Sequence, residues 1–84
     1  MFTAYILQSS KTGRYYVGHT ADLTKRLSRH NLGLTKSGRN RGPWKVVYQE
    51  DFSTRAEAVR REREIKKWKS HTYIEEFIKK KGPD

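Results

Sequence analysis

The 84-residue chain contains no cysteine. Disulfide bonds and thiolate metal sites are therefore excluded, and the absence is consistent with a reducing compartment. No apolar run approaches the roughly 18 residues that a membrane-spanning helix needs. Residues 1–8 lack the basic start and long apolar stretch of a secretory signal. We therefore expect a cytoplasmic protein that does not enter a membrane.

Hydrophobic residues are also scarce, at 33% of the chain. A chain of this length fits one domain and buries only about two-thirds of the surface that its unfolded form exposes. The core must therefore be small and filled mainly by aromatic and branched aliphatic side chains. We expect a single domain over residues 1–84, with a core at about 2–69 and a C-terminal helix at about 72–81.

Acidic residues are few, since nine Asp and Glu face 19 Lys and Arg for a net charge of +10. Such a surplus on a small body creates a strong positive field that attracts polyanions, of which nucleic acid is the commonest. The basic residues are spread over several predicted elements rather than along one amphipathic helix, which disfavours a membrane surface. A basic protein without a specific partner is the alternative.

Two short segments rich in strand-forming residues open the chain, Phe2–Gln8 and Arg14–His19. The polar stretch 9–13, which ends in a glycine, predicts that they form a β-hairpin. A third strand is predicted over Trp44–Tyr48 and a turn over Glu50–Ser53.

A helix is predicted between the second and third strands. Thr20 or Asp22 can cap it, and Leu23, Leu27 and His30 recur at helical spacing up to its end. Residues 31–43 then predict a basic loop rich in glycine, of a kind that can meet a phosphate backbone.

Two further helices are predicted near the C-terminus. Thr54 forms a capping box with Glu57, with Ser53 as a rival cap, and the helix runs to about Lys69. A break separates it from a helix over Thr72–Lys81. The order β-β-α-β-α-α predicts an α+β domain with helices packed on a small, at least partly antiparallel sheet.

Glu62 is the most informative residue of the longer helix. It lies three residues after Val59 and three before Ile65, within the apolar stripe that these form with Trp68. A carboxylate on an apolar face is costly unless it is paired or binds a metal. An ion pair with an arginine, a position at the edge of the stripe, and a metal site all remain open.

Arg26 and His30 lie four residues apart and therefore share a face of the first helix. An arginine can hold a phosphate through two hydrogen bonds, and a histidine can move a proton near neutral pH. A solvated basic face with a histidine at its boundary is the ordinary alternative.

The hairpin carries three tyrosines, Tyr5, Tyr15 and Tyr16. Aromatic residues are common in strands, but a tyrosine hydroxyl can also orient or deprotonate water when a cation lowers its pKa. The sequence leaves open whether Tyr5 and Tyr16 share a face. Gly18 marks either a bulge or a close backbone approach to a ligand.

Taken in order, these residues resemble the GIY-YIG nuclease superfamily. The two signature tripeptides are similar to Thr3–Tyr5 and Tyr16–Gly18, and segments 22–31 and 58–62 are similar to those that carry its arginine and glutamate. The resemblance covers about residues 2–69. It is strongest to the small, stand-alone bacterial members and extends to the nuclease domains of UvrC and Slx.

The resemblance implies a three-stranded antiparallel sheet flanked by helices. It also implies one divalent metal ion, Mg²⁺ or Mn²⁺, held by Glu62. Tyr5 would hold or activate the attacking water, and Tyr16 would help to orient water or phosphate. Arg26 would stabilise charge on the phosphate, while His30 would assist proton transfer or hold Tyr5.

The activity implied is that of a metal-dependent endonuclease on DNA phosphodiester bonds, structure-selective or of low specificity, in DNA repair or recombination. RNA is an alternative substrate. The sequence does not determine the oligomeric state. Five basic residues are expected to contact the nucleic acid: Lys25, Arg29, Lys36, Arg39 and Arg41. Two other functions compete, a non-catalytic nucleic-acid-binding module and a nuclease subunit that a protein partner directs to its target.

Overall fold

The structure, a computed structural model, describes residues 1–33 and 42–81. Its elements are β1 (Phe2–Ser9), β2 (Tyr15–Thr20), α1 (Leu23–Asn31), β3 (Trp44–Phe52), α2 (Arg55–Lys66) and α3 (His71–Lys81). The three strands form one antiparallel sheet in the order β2-β1-β3. The predicted α+β class and the order β-β-α-β-α-α are confirmed. None of the helices in the described ranges is long and apolar enough to cross a bilayer.

The third strand is longer than predicted. It continues to Phe52, so the turn predicted over Glu50–Ser53 is wrong. Glu50 pairs with Ala4 of β1, and Phe52 pairs with Phe2. Pairing with the central strand holds this polar segment extended, although its composition is typical of a turn.

The break between the last two helices also differs from the prediction. α2 ends at Lys66, with Lys67 as its C-cap, rather than near Lys69. Lys69 has a φ of 53° and is outside the helical conformation. α3 begins at His71 rather than Thr72. The Ser70 hydroxyl accepts a hydrogen bond of 3.2 Å from the backbone N–H of Tyr73, as an N-cap does.

Side-chain caps fix where α1 and α2 begin. Of the two candidates for α1, Asp22 is the N-cap, and its carboxylate accepts a hydrogen bond of 3.0 Å from the Lys25 N–H. The capping box of Thr54 and Glu57 at the start of α2 is confirmed. By fixing the first turn of each helix, these caps help to determine which way Arg26 on α1 and Glu62 on α2 point.

The sheet packs helices on both faces. Tyr5, Leu7 and Trp44 form a cluster with Leu23 and Leu27 of α1 on one side, which we call the α1 face. The other side, the α2 face, carries a larger cluster with α2 and α3: Ile6, Val17, Tyr48, Ile65 and Ile74. Strand β2 is at an edge of the sheet. Side chains from the two faces can therefore meet beside this strand.

Candidate active site

The register of the hairpin brings Tyr5 and Tyr16 to the same face of the sheet. Tyr5 is opposite Gly18, and Tyr16 is opposite Leu7. Because residues two apart in a strand point the same way, all four lie on the α1 face. The tyrosine ring centroids are 6.4 Å apart.

Gly18 leaves the space that the Tyr5 side chain occupies. A Cβ atom added at Gly18 would lie 2.6 Å from the Tyr5 hydroxyl oxygen and 2.9 Å from Cζ. Any side chain at this position would therefore displace the phenol. The close approach at Gly18 is made by the protein's own tyrosine, and the bulge in the sheet lies elsewhere, between Ile6 and Leu7 where β1 pairs with β3.

Glu62 is held in a largely buried position on α2. The buried residues of that helix are Ala58 and Ile65, so Glu62 lies between them, while Trp68 lies beyond the end of the helix. Only 15% of the Glu62 side chain is exposed. The predicted stripe is confirmed at Ile65, but its first buried member is Ala58 rather than Val59, which is half-buried.

Both carboxylate oxygens of Glu62 have hydrogen-bond donors. His19 Nδ1 donates to Oε1 at 2.5 Å, and Lys66 Nζ donates to Oε2 at 2.5 Å. Burial raises the pKa of Glu62, but the hydrogen bonds from Lys66 and His19 outweigh it, so the pKa is lower than usual. The side chain is therefore ionised at neutral pH. Its partners are a lysine and a histidine rather than the arginine that was one alternative.

We expect Glu62 to stabilise the fold at neutral pH and to lose that effect in acid. Since its folded pKa is depressed, its contribution is present above the unfolded pKa and lost as the pH falls through the folded value. Wild type should be more stable than Glu62→Gln by about 1 kcal/mol at pH 7. Urea unfolding from pH 7 to pH 3 measures this difference, and a difference that does not shrink towards pH 3 would contradict the assignment.

An open cleft of about 380 Å³ lies at the β2 edge, where residues from both faces of the sheet meet. It is polar and contains one carboxylate and two arginines. Its lining residues are Tyr5, Tyr16, Gly18, His19, Thr20, Ala21, Arg26, Arg55 and Glu62. Four of the five predicted catalytic residues therefore share one cavity, and the fifth, His30, is not among its lining residues.

Tyr5 is protonated at neutral pH in this environment. Burial raises the pKa of its hydroxyl to about 12, the neighbouring Tyr16 adds to the increase, and Arg26 opposes it. A phenol of this kind donates a hydrogen bond well but accepts a proton only when further positive charge lies beside it.

His30 lies behind the cleft rather than in it. It is fully buried, with its ring centroid 4.5 Å from that of Tyr16 and 5.4 Å from that of Trp44. Burial lowers its pKa, and Arg26 lowers it further, so the imidazole is neutral at pH 7. The ring therefore supports Tyr16 from the core side.

The predicted nucleic-acid contacts are described only in part. Lys25 and Arg29 line a cavity next to the cleft, and Arg26 lines both cavities. The other three predicted contacts, Lys36, Arg39 and Arg41, lie outside the described residues.

Three residues with ionisable side chains at the site had not been predicted: His19, Arg55 and Lys66. Lys66 lies four residues after Glu62, a spacing typical of helical ion pairs, so that signal was available. His19 directly follows Gly18 in a strand, but its contact with Glu62 joins residues 43 apart. Arg55, at the start of α2, carries no local pattern that points to the cleft.

Comparison with known proteins defines the class. The family model of the GIY-YIG catalytic domain matches residues 1–80. The chain therefore belongs to the GIY-YIG family, which places it in a superfamily of endonucleases.

Within the family the chain is similar to small proteins named UPF0213. It is 42% identical over 77 residues to one from Bacillus pumilus, covering 87% of this chain and 78% of the relative. It is 39% identical over 67 residues to one from Halobacterium salinarum, covering 79% and 86%. The solution NMR structure of UPF0213 protein BH0048 from Bacillus halodurans has a TM-score of 0.60 and 34% identity, covering 98% of this chain and 87% of that one.

Proposed function

We propose that this protein is a metal-dependent endonuclease that hydrolyses phosphodiester bonds in DNA. One observation carries the proposal: a single cleft contains an ionised carboxylate, an arginine and two tyrosines, contributed by Glu62, Arg26, Tyr5 and Tyr16. The net charge of +10 supports a polyanionic substrate. Family membership supports nuclease chemistry.

The donor set of the cleft fits a hard divalent cation. Glu62 is the carboxylate that lines the cleft, so it would be the protein ligand. Within residues 1–33 and 42–81, no group of three or more His, Cys, Asp or Glu residues comes together. Mg²⁺ is commonly held by one or two carboxylates while it keeps several waters, and Mn²⁺ also accepts oxygen ligands. When bound, such an ion supplies positive charge to the phosphate and acidifies water. It would compete with His19 and Lys66 for the carboxylate.

Arg26 is the residue best suited to the scissile phosphate. It lines the cleft from α1, and its planar guanidinium can donate two parallel hydrogen bonds to phosphate oxygens. A fixed cation at this position stabilises the charge that builds up on the phosphate in the transition state. Arg55 lines the same cleft from α2 and adds positive charge.

Water activation falls to residues that line the cleft. Protonated Tyr5 can hold the attacking water by a hydrogen bond, and it becomes a proton acceptor when cations at the site lower its pKa. His19 lines the same cavity and carries the side chain that most often accepts protons near neutral pH. His30 would act as a positioning residue, since its ring packs on Tyr16.

Arg26→Ala is expected to slow cleavage about 10²- to 10³-fold while DNA binding weakens by a much smaller factor. Arg29→Ala removes the same charge from the next cavity and serves as the matched control. It should weaken binding but leave the single-turnover rate at saturating DNA within about threefold. Equal rate losses in the two variants would contradict a catalytic role for Arg26.

A binding module is the second candidate, and one observation favours it. Each carboxylate oxygen of Glu62 accepts a hydrogen bond, from His19 or from Lys66, so its burial is explained without a metal ion. This function predicts salt-sensitive DNA binding that Glu62→Gln leaves unchanged, together with no cleavage by either protein. Cleavage by the wild type excludes it.

A further inference from the structure

Another concave surface lies beside the cleft, between the start of β2, the end of α2 and the start of α3. We call it the lateral groove; its volume is about 420 Å³, within the usual range for small-molecule sites. Its floor is apolar and is formed by Val17, Ile65 and Ile74. Three cationic side chains surround this floor: Arg14, Lys66 and Lys69.

The lateral groove continues from the cleft. Tyr16 lines both cavities, and Lys66 lines the groove while it donates to Glu62 in the cleft. A strand with one phosphate beside Glu62 and Arg26 can therefore extend a neighbouring nucleotide into the groove. None of the described residues that line the groove is acidic, which suits a phosphodiester backbone.

An aromatic surface is available in the groove for a nucleobase. The ring of Tyr15 lies 4.7 Å from that of His71, and both side chains line the groove. Tyr15 is half-buried, so its ring is held in place with one part accessible. Bases of unpaired nucleotides stack on such rings largely regardless of sequence.

Lys69 is a charged residue at a backbone position, just after a helix, where glycine is usual. Its φ of 53° is in the left-handed region, just after the end of α2. Glycine is favoured at such positions because it has no Cβ atom. The chain instead has a lysine whose side chain lines the groove.

We propose that the lateral groove binds an unpaired nucleotide of the strand whose phosphate lies in the cleft. Bases within a duplex are stacked and cannot reach Tyr15, so the preferred substrates are flaps, splayed arms and single-stranded ends. The proposal rests on the proposed nuclease function and specifies its substrate class. It assigns base stacking to Tyr15 and backbone contact to Lys69.

The test compares a blunt duplex with the same duplex carrying a ten-nucleotide single-stranded flap, by fluorescence anisotropy in EDTA. Wild type should bind the flap substrate more tightly. Lys69→Gln should weaken flap binding about five- to tenfold and blunt-duplex binding far less. Lys67→Gln removes the same charge two residues away, outside the groove, and should affect both substrates equally.

Three further variants separate the contribution of stacking from effects on stability. Tyr15→Leu should abolish the quenching of 2-aminopurine placed at the first unpaired position, whereas Tyr15→Phe should retain it. Lys69→Gly removes the cation and relieves the left-handed backbone, so it should raise the urea midpoint while it weakens flap binding. Loss of binding cannot then be due to unfolding.

The proposal is overturned if wild type does not prefer the flap, or if Lys69→Gln and Lys67→Gln behave alike. Failure of the nuclease function looks different. If the protein prefers the flap and loses that preference in Lys69→Gln but cuts no substrate, the groove proposal stands and the nuclease function is refuted. If the protein cuts DNA but substitutions at Lys69 and Tyr15 change neither binding nor quenching, the nuclease function stands and the groove proposal is refuted.

Discussion

Glu62→Gln should lower the single-turnover cleavage rate by about 10³-fold or more, the largest effect expected of any single substitution. The amide preserves the size of the side chain but removes the negative charge that would hold the metal ion. DNA binding in EDTA should be no weaker than that of wild type, because Glu62 and the phosphate backbone are both negatively charged and repel each other. The measurement is the cleavage rate at saturating Mg²⁺ for each protein.

Glu64→Gln is the matched control for this substitution. Glu64 is on the same helix two residues later, and it pairs with Arg61 at 3.3 Å, with half of its side chain exposed. It does not line the cleft. Its variant should cleave at the wild-type rate, and an equal loss in both variants would show that general destabilisation, not the site, explains the result.

Gly18→Ala should slow cleavage about 10²-fold, the second-largest effect expected. The added Cβ would lie 2.6 Å from the Tyr5 hydroxyl oxygen, so the phenol must leave its position in the cleft. Elsewhere in a strand the same substitution is favourable, because glycine weakens strands. A loss of activity with little loss of secondary structure is therefore diagnostic of displaced Tyr5.

A double-mutant cycle tests whether Gly18 acts through Tyr5. In the Tyr5→Phe background the hydroxyl is already absent, so adding Gly18→Ala should cost much less activity than it costs in wild type. The coupling in activation free energy should be about 1–2 kcal/mol. Additive effects of the two substitutions would mean that Gly18 serves another purpose, such as direct approach to the substrate.

Local patterns predicted the parts of the fold that depend on neighbouring residues. Thr54 and Glu57 are three residues apart, and their capping box forms as expected because its hydrogen bonds stay within one helical turn. The spacing of Glu62 from Ile65 likewise indicated a position on the apolar side of α2, although a place at the edge of the stripe was an alternative. The end of α2 was not visible, because the left-handed conformation of Lys69 is unusual for a residue with a side chain.

Pairing between strands that are far apart in the chain determined the features that local sequence patterns did not predict. Whether Tyr5 and Tyr16 share a face depends on the hairpin register, and a shift of one residue would have separated them. Glu50 and Asp51 look like turn residues, yet pairing with β1 keeps them in β3. Asp51 also accepts a hydrogen bond from the Thr3 hydroxyl, 48 residues away.

For His30 and His19, too, the position relative to the cleft depends on tertiary packing and not on local sequence patterns. Helical spacing correctly indicated that His30 is on the side of α1 that faces the core. Only the packing of Tyr16 and Trp44 around it shows that it lies behind the cleft. His19 reaches the cleft because β2 is an edge strand facing α2, and strand order is not a local property.

Cleavage by the purified wild-type protein tests the central claim most directly. Flapped, splayed, single-stranded and blunt duplex DNA, each labelled on the cut strand, would be incubated with Mg²⁺, with Mn²⁺ and with EDTA. We predict cuts in the substrates with unpaired nucleotides, in the presence of either metal ion and not in EDTA. Salt-sensitive binding to all of these substrates without cleavage of any would contradict the account.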